Sequence, residues 1–161
     1  EITIGWRTCH KALPTIIQGA SGGALDPWGM VYPIPEGLQT PKGIIRYPNL
    51  RIETNEEDGR KEFVYGTTHR SARIYAGKID ENIVQHLARC VIADNALEIR
   101  RVSQLVPALM VHDELVYVVP TDQAQETLDM VQGIMRTPPT WWPELLTWSE
   151  GDIGDTYGDA K

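Results

Sequence analysis

The sequence predicts an α+β fold, in which short antiparallel strands accompany two amphipathic helices. Three observations carry this prediction. Ile79, Ile83, Leu87, Cys90, Val91 and Leu97 recur mainly at spacings of three or four, the signature of a helix with one buried stripe. Ala124, Leu128, Val131, Ile134 and Met135 repeat that pattern in a second helix. Between the helices, residues 105–111 and 115–119 form two apolar, β-branched runs broken only by His112-Asp113-Glu114. Such runs read as two buried strands joined by a tight polar bend.

Taken in order, residues 5–18 read as a helix with Trp6, Ala12, Leu13, Ile16 and Ile17 as its apolar residues, although Pro14 limits its regularity. Residues 19–37 are rich in Gly and Pro and read as loop, with at most a short strand around Met30-Val31-Tyr32. A hairpin follows: 37–40, the turn Pro41-Lys42-Gly43, then 44–48. The acidic stretch 53–60 reads as an exposed loop, and 61–65 as a short strand. The first strong helix spans 79–99. Thr121 is the expected N-cap of the second, and Pro138-Pro139 ends it. The tail 141–161 holds Trp141, Trp142 and Trp148, three of the five tryptophans, and is expected to pack back as an extended cover. Residues 1–37 thus read as an N-terminal helix and a Gly/Pro-rich loop ahead of the rest of the chain.

With 161 residues, 42% of them hydrophobic and 23% charged, the chain is long enough to bury a core and too apolar to be disordered throughout. A formal net charge of −7 argues against a uniformly basic nucleic-acid-coating protein, but 15 Lys and Arg leave room for a local basic groove. Cys9 and Cys90 lack metal-ligand spacing and suggest reduced thiols in a cytoplasmic protein. No apolar run has the length of a membrane span, and no signal peptide is present, so no membrane partner is expected. The first residue is Glu1 rather than Met, which suggests a piece of a longer polypeptide.

Two features invite chemistry. The bend at His112-Asp113-Glu114 holds carboxylates rigidly at a sheet end, where a metal or substrate can meet them. An ordinary turn accounts for Asp there equally well. On the 79–99 helix, Lys78, Asn82, Gln85 and Arg89 form a polar stripe that is either a solvated face or a face meeting DNA. His10, His69 and His86 have no Cys or His at ligand spacing and read as surface or packing residues.

Several segments, in order, resemble the C-terminal part of family A DNA polymerases of the bacteriophage kind. Leu38-Gln39-Thr40-Pro41-Lys42-Gly43 with Arg46-Tyr47-Pro48-Asn49 is similar to the family's TPSGR…YPN hairpin. Residues 75–89, YAGKIDENIVQHLAR, resemble the phage helix YGGKLVENIVQALAR. VHDELVYVVP at 111–120 resembles the third polymerase motif, motif C, and the 138–143 and 157–161 segments resemble the ends of such chains. The resemblance is good over 38–161 and loose before it. It implies a palm-type antiparallel sheet, with the motif C hairpin packed against the two amphipathic helices.

The resemblance also implies a function: the C-terminal subunit or fragment of a DNA-directed DNA polymerase acting in DNA replication, in the host cell cytoplasm if viral. Nucleotidyl transfer uses two Mg²⁺ ions roughly 3.5–4 Å apart. It assigns Asp113 as a metal-bridging carboxylate, Glu114 as an auxiliary near the metals, and His112 as a brace for the primer end. Gln85 matches the glutamine that reads the nearly sequence-independent minor groove, and Asn82 stands near a family Asn. Lys78, Arg89, Lys42 and Arg46 become phosphate contacts, and the implied partners are primer-template DNA and dNTP. The family's first metal-binding Asp and its fingers helix have no match, since Tyr65-Gly66 has no Arg/Lys helix before it. The chain is therefore expected to be inactive alone. It would need an N-terminal portion or partner chain carrying the fingers and the other Asp. The alternatives are a non-catalytic DNA-binding or processivity module derived from a palm, and an unrelated α+β domain with a chance bend.

Overall fold

The computed structural model of the chain describes residues 2–56, 58–67 and 69–160, the side chains of 2–6 (Trp6 among them) and Lys161 lying outside what is described. It is α+β, with three antiparallel sheets and three α-helices, and it divides into two compact units, residues 1–87 and 88–161.

The first unit opens with α1, Ile2–Ile17. Cys9, Ala12, Leu13 and Ile16 are buried along it, a run of i, i+3, i+4 and i+7 that places one stripe in the core. The helix continues through Pro14, which stands on its exposed face and has no N–H to give to the helix ladder. Ile17, expected to be apolar core, is exposed.

Strands β1 (Tyr32–Ile34), β2 (Gly37–Thr40) and β3 (Gly43–Arg46) form an antiparallel meander. The loop before it is wound around Asp26, whose carboxylate accepts hydrogen bonds from the N–H groups of Trp28, Met30 and Val31. Gly37 has φ +151°, and a Cβ there would lie 2.0 Å from the Ile45 carbonyl oxygen, so only glycine fits. Leu38 and Val31 are wholly buried beneath this sheet.

A second meander comprises β4 (Arg51–Thr54), β5 (Lys61–Thr67) and β6 (Arg70–Ile74). The expected loop at 53–60 therefore begins two residues late, because Glu53 and Thr54 complete β4. Strand-opposed residues share a face, and one face here carries Arg51, Glu53, Glu62 and Arg73 in ion pairs. The other carries Phe63, Tyr65 and the buried Ile74. Tyr65 meets the buried Tyr47 edge-on at 5.3 Å, and His10 meets Phe63 edge-on at 5.8 Å.

Helix α2, Ala76–Ser103, extends beyond the expected 79–99 and runs from the first unit into the second. Ile79 and Leu87 are its buried residues in the first unit, Asn95 and Ile99 in the second. The second unit continues with the hairpin of β7 (Leu109–Val111) and β8 (Glu114–Val116), a 3₁₀ turn at Thr121–Gln123, and α3, Ala124–Met135. Thr121 does not cap α3; Gln123 takes that place without a side-chain cap bond. The strands are three residues each and none is buried, so the expectation of buried strands fails. Among the described residues each pairs with the other alone, and they border an open groove instead of a filled core.

The tail is fastened at several points within this unit. The Arg136 guanidinium donates to the Ser149 carbonyl at 2.6 and 3.1 Å and lies 4.5 Å over the Trp148 ring. Trp141 Nε1 donates to Asp94 at 2.8 Å. A Cβ on Gly151 would lie 2.8 Å from Leu128 Cδ1, so the tail backbone runs close against α3.

Candidate functional site

The hairpin tip is built by a two-residue turn. Val111 pairs with Glu114, so His112 and Asp113 alone reverse the chain. Such turns need a positive φ in at least one residue, and His112 takes it at +51°. A non-glycine residue in that region costs about 1–2 kcal/mol, so the bend is held by its strands and not by the preference of His112.

His112, Asp113 and Glu114 are all exposed. Glu114 Oε2 accepts a hydrogen bond from the Tyr157 hydroxyl at 2.5 Å, which binds the end of the tail to the tip. The tail end is itself tightly turned, with Thr156 Oγ1 donating to Asp159 at 2.6 Å. Asp113 makes no hydrogen bond or ion pair among the described residues, and it is one of the residues that line the groove.

Asp113 and Glu114 offer two adjacent carboxylates. Among the described residues no group of three or more His, Cys, Asp or Glu side chains is assembled to hold a metal ion. Mg²⁺ is commonly bound by one or two carboxylates together with waters and substrate phosphates. The pair thus fits a share of such a site and would complete it with oxygens from elsewhere.

The other named residues fall in or beside the first unit. Thr40, only 2% exposed, is the node of the β2–β3 turn. Its hydroxyl donates to the Gly43 carbonyl at 2.9 Å, accepts from the Lys42 N–H at 3.2 Å, and lies 3.0 Å from His86 Nε2. A hydroxyl has one proton; with that proton on Gly43, His86 must donate from Nε2. Asn82 Nδ2 donates to the Tyr47 hydroxyl at 3.2 Å. Burial pushes the Tyr47 phenol up, and the Asn82 bond partly offsets this. These two contacts fix the start of α2 against the hairpin that carries Lys42 and Arg46.

The polar stripe is divided. Asn82 faces the hairpin, whereas Lys78 and Gln85 both bind Glu81, at 2.8 and 3.2 Å, on the exposed side. The bond to Glu81 raises the Lys78 ammonium above its ordinary value. Arg46 pairs with Glu36 at 3.5 Å, Lys42 stands exposed at the turn, and Arg89 is exposed on α2 within the second unit. Thr40 and Tyr47 were missed as supports of this face. A threonine leading a Pro-Lys-Gly turn, where its hydroxyl can bond nearby backbone, is the signal that marks Thr40; Tyr47 is marked only by its place in the Tyr-Pro-Asn segment, which does not show its contact with α2.

The chain is similar to part of a DNA polymerase. Aligned with the DNA polymerase of Bacillus phage SP02 it is 26% identical over 176 residues, covering 98% of this chain and 27% of that one. The chain thus spans about a quarter of the length of this relative. No family model matches the sequence, and no solved structure matches it. Among the described residues no helix is long and apolar enough to cross a membrane.

Proposed function

We propose that the chain is the C-terminal part of a family A-type DNA polymerase acting in DNA replication. The 109–116 hairpin serves as motif C of a palm-type sheet, and residues 38–161 form the later part of the palm, with 1–37 leading into it. One observation carries the reading: a two-residue turn presents Asp113 and Glu114, exposed, at a hairpin tip in a chain that aligns almost throughout with part of a phage polymerase.

When bound, two Mg²⁺ ions activate the primer 3′-hydroxyl and offset the charge of the triphosphate and leaving pyrophosphate. Asp113 holds its carboxylate at a fixed point for that site. Glu114, steadied by Tyr157, is the auxiliary, and His112 braces the primer terminus. Gln85 reaches minor-groove acceptors, Asn82 orders the helix under it, and Lys78, Arg89, Lys42 and Arg46 meet phosphates. The substrates are primer-template DNA and dNTP, and the site of action is the host cytoplasm. A second carboxylate and the nucleotide-binding cations come from an N-terminal portion or partner chain, so this chain alone does not polymerise.

The test is primer extension with Mg²⁺ and dNTP by the chain alone, by a polypeptide carrying the remaining polymerase, and by the two together. Extension that needs both and is abolished by Asp113→Ala supports the reading. Extension by the 161-residue chain alone overturns the split. Extension indifferent to Asp113→Ala selects a non-catalytic DNA-binding or processivity module instead.

A further inference from the structure

The net charge of the chain lies wholly in its second unit. Residues 1–87 hold ten basic and ten acidic side chains, whereas 88–161 hold five basic and twelve acidic. Within that unit the later half of α2, the hairpin, α3 and the tail surround an open groove of about 1010 Å³. Asp113, Glu114, Glu150, Asp152 and Asp155 line it, and no Lys, Arg or His among the described residues does, the Arg136 guanidinium being stacked on one face of the lining Trp148.

The apolar part of the lining is poorly covered. Leu146 is 97% exposed, Val118 81% and Trp148 74%. Large apolar side chains gathered in one concavity, ringed by charge, mark a surface that meets a partner. The floor adds a second sign. The Tyr117 and Thr147 hydroxyls are withdrawn from solvent without a hydrogen-bond partner among the described residues, and burial raises the Tyr117 phenol. Such groups are rare in a finished surface.

The charge decides between occupants. Along the rim away from the hairpin tip, where no bound cation offsets the carboxylates, a phosphate backbone or an anionic lipid surface is repelled, and a second copy brings the same acidic unit against itself. A cationic partner with an apolar face is attracted on both counts. An α-helix is about 10–12 Å across with a 1.5 Å rise, so the groove takes roughly two turns of one. We propose that this groove is the docking site for a basic amphipathic helix of another polypeptide, its apolar stripe on Leu146, Val118 and the open face of Trp148 and its Lys or Arg residues on Glu150, Asp152 and Asp155, which leaves Asp113 and Glu114 free of it. This is recognition of the helix-in-groove kind. It goes beyond the polymerase reading and does not depend on it, and its test involves no catalysis, so either can fail alone.

The probe is an 18-residue synthetic peptide with Leu at helical spacing and Lys elsewhere, titrated into the full chain and followed by tryptophan fluorescence. Two controls share its length: a scrambled peptide of identical composition and one with Glu for Lys. Binding of the first, with the controls weaker by roughly tenfold or more, is expected. Leu146→Asp and Val118→Asp, both on exposed positions and so compatible with folding, should each weaken binding by about tenfold, the scale of one interface anchor. Circular dichroism unchanged from wild type keeps those variants interpretable. Equal binding of the scrambled peptide shows attraction without a groove and overturns the proposal, as does indifference to both substitutions. Dimerisation by sedimentation that is lost with Leu146→Asp assigns the groove to a second copy and overturns it too.

Discussion

Thr40→Val removes a hydroxyl while nearly preserving shape, and it tests whether the β2–β3 hairpin and α2 form one rigid platform. The hydroxyl has three partners, the Gly43 carbonyl, the Lys42 N–H and His86 Nε2, all within 3.2 Å. A net hydrogen bond contributes about 0.5–1.5 kcal/mol, and an abandoned buried partner costs about 1–3 kcal/mol. The Lys42 and Gly43 groups sit at a turn that water reaches, so their loss counts at the lower figure. His86 is half-buried, so water replaces the lost contact less readily there. The expected destabilisation is therefore about 2–3 kcal/mol. Urea unfolding measures it, with an unchanged slope showing that the denatured state is not the cause. A cycle with His86→Ala isolates the contact between hairpin and helix, and a coupling of about 1 kcal/mol is expected. A loss under about 0.5 kcal/mol, or full additivity with His86→Ala, would refute the node.

Gly37→Ala places a methyl group 2.0 Å from the Ile45 carbonyl oxygen at φ +151°, and should cost more than about 1 kcal/mol in the same urea assay, with little soluble protein a second expected sign. The Cys9 thiol is pushed up from 9.0 to about 11 by burial first and by Asp80 second. The folded state thus holds that proton more tightly than the unfolded one. The contribution is full below pH 9 and is lost as pH rises from 9 to about 11, an effect on unfolding that Cys9→Ala should remove. At pH 8, iodoacetamide should label half-buried Cys90 well before buried Cys9, as mass spectrometry of the digested protein will show. Arg136→Ala breaks the bonds to Ser149 and the stacking on Trp148, and should loosen the tail at a cost of about 1–2 kcal/mol, seen as faster amide exchange over residues 146–152.

The helices were legible because burial leaves a period. At about 100° per residue, Ile79, Ile83 and Leu87 fall within about 80° of one another, and only a helix makes neighbours of them. The same geometry explains why the polar stripe was half right. Lys78, Asn82, Gln85 and Arg89 share a sector about 60° wide, but Asn82 lies at the edge nearer the buried stripe, where it reaches Tyr47. Gln85 lies at the other edge beside Glu81. Spacing identifies a face but not which neighbour each end of it meets. Strands β4 and β6 left no such mark. Arg51–Thr54 and Arg70–Ile74 stabilise their sheet through backbone pairing and an exposed ladder of ion pairs, so hydrophobic runs could not reveal them. The bend at His112-Asp113 was visible because charge interrupts apolar runs. Those runs suggested burial wrongly, since their apolar residues border a groove that remains open.

The division of charge sharpens what the two units can do. Asp113 and Glu114 lie in a unit with twelve acidic and five basic side chains, a field that concentrates divalent cations at the hairpin tip and repels phosphate from its surroundings. In the polymerase reading, contact with a DNA backbone therefore falls mainly to the first unit, whose ten cations balance its ten anions, with Arg89 the contribution of the second. Even there, Arg46 and Lys78 are already paired with Glu36 and Glu81, so a phosphate contact at either gains less than one made by an unpaired cation. A chain with this distribution is poorly suited to hold DNA by itself. It is better suited to place a carboxylate accurately beside DNA that another polypeptide holds, which is the division of labour the polymerase reading requires.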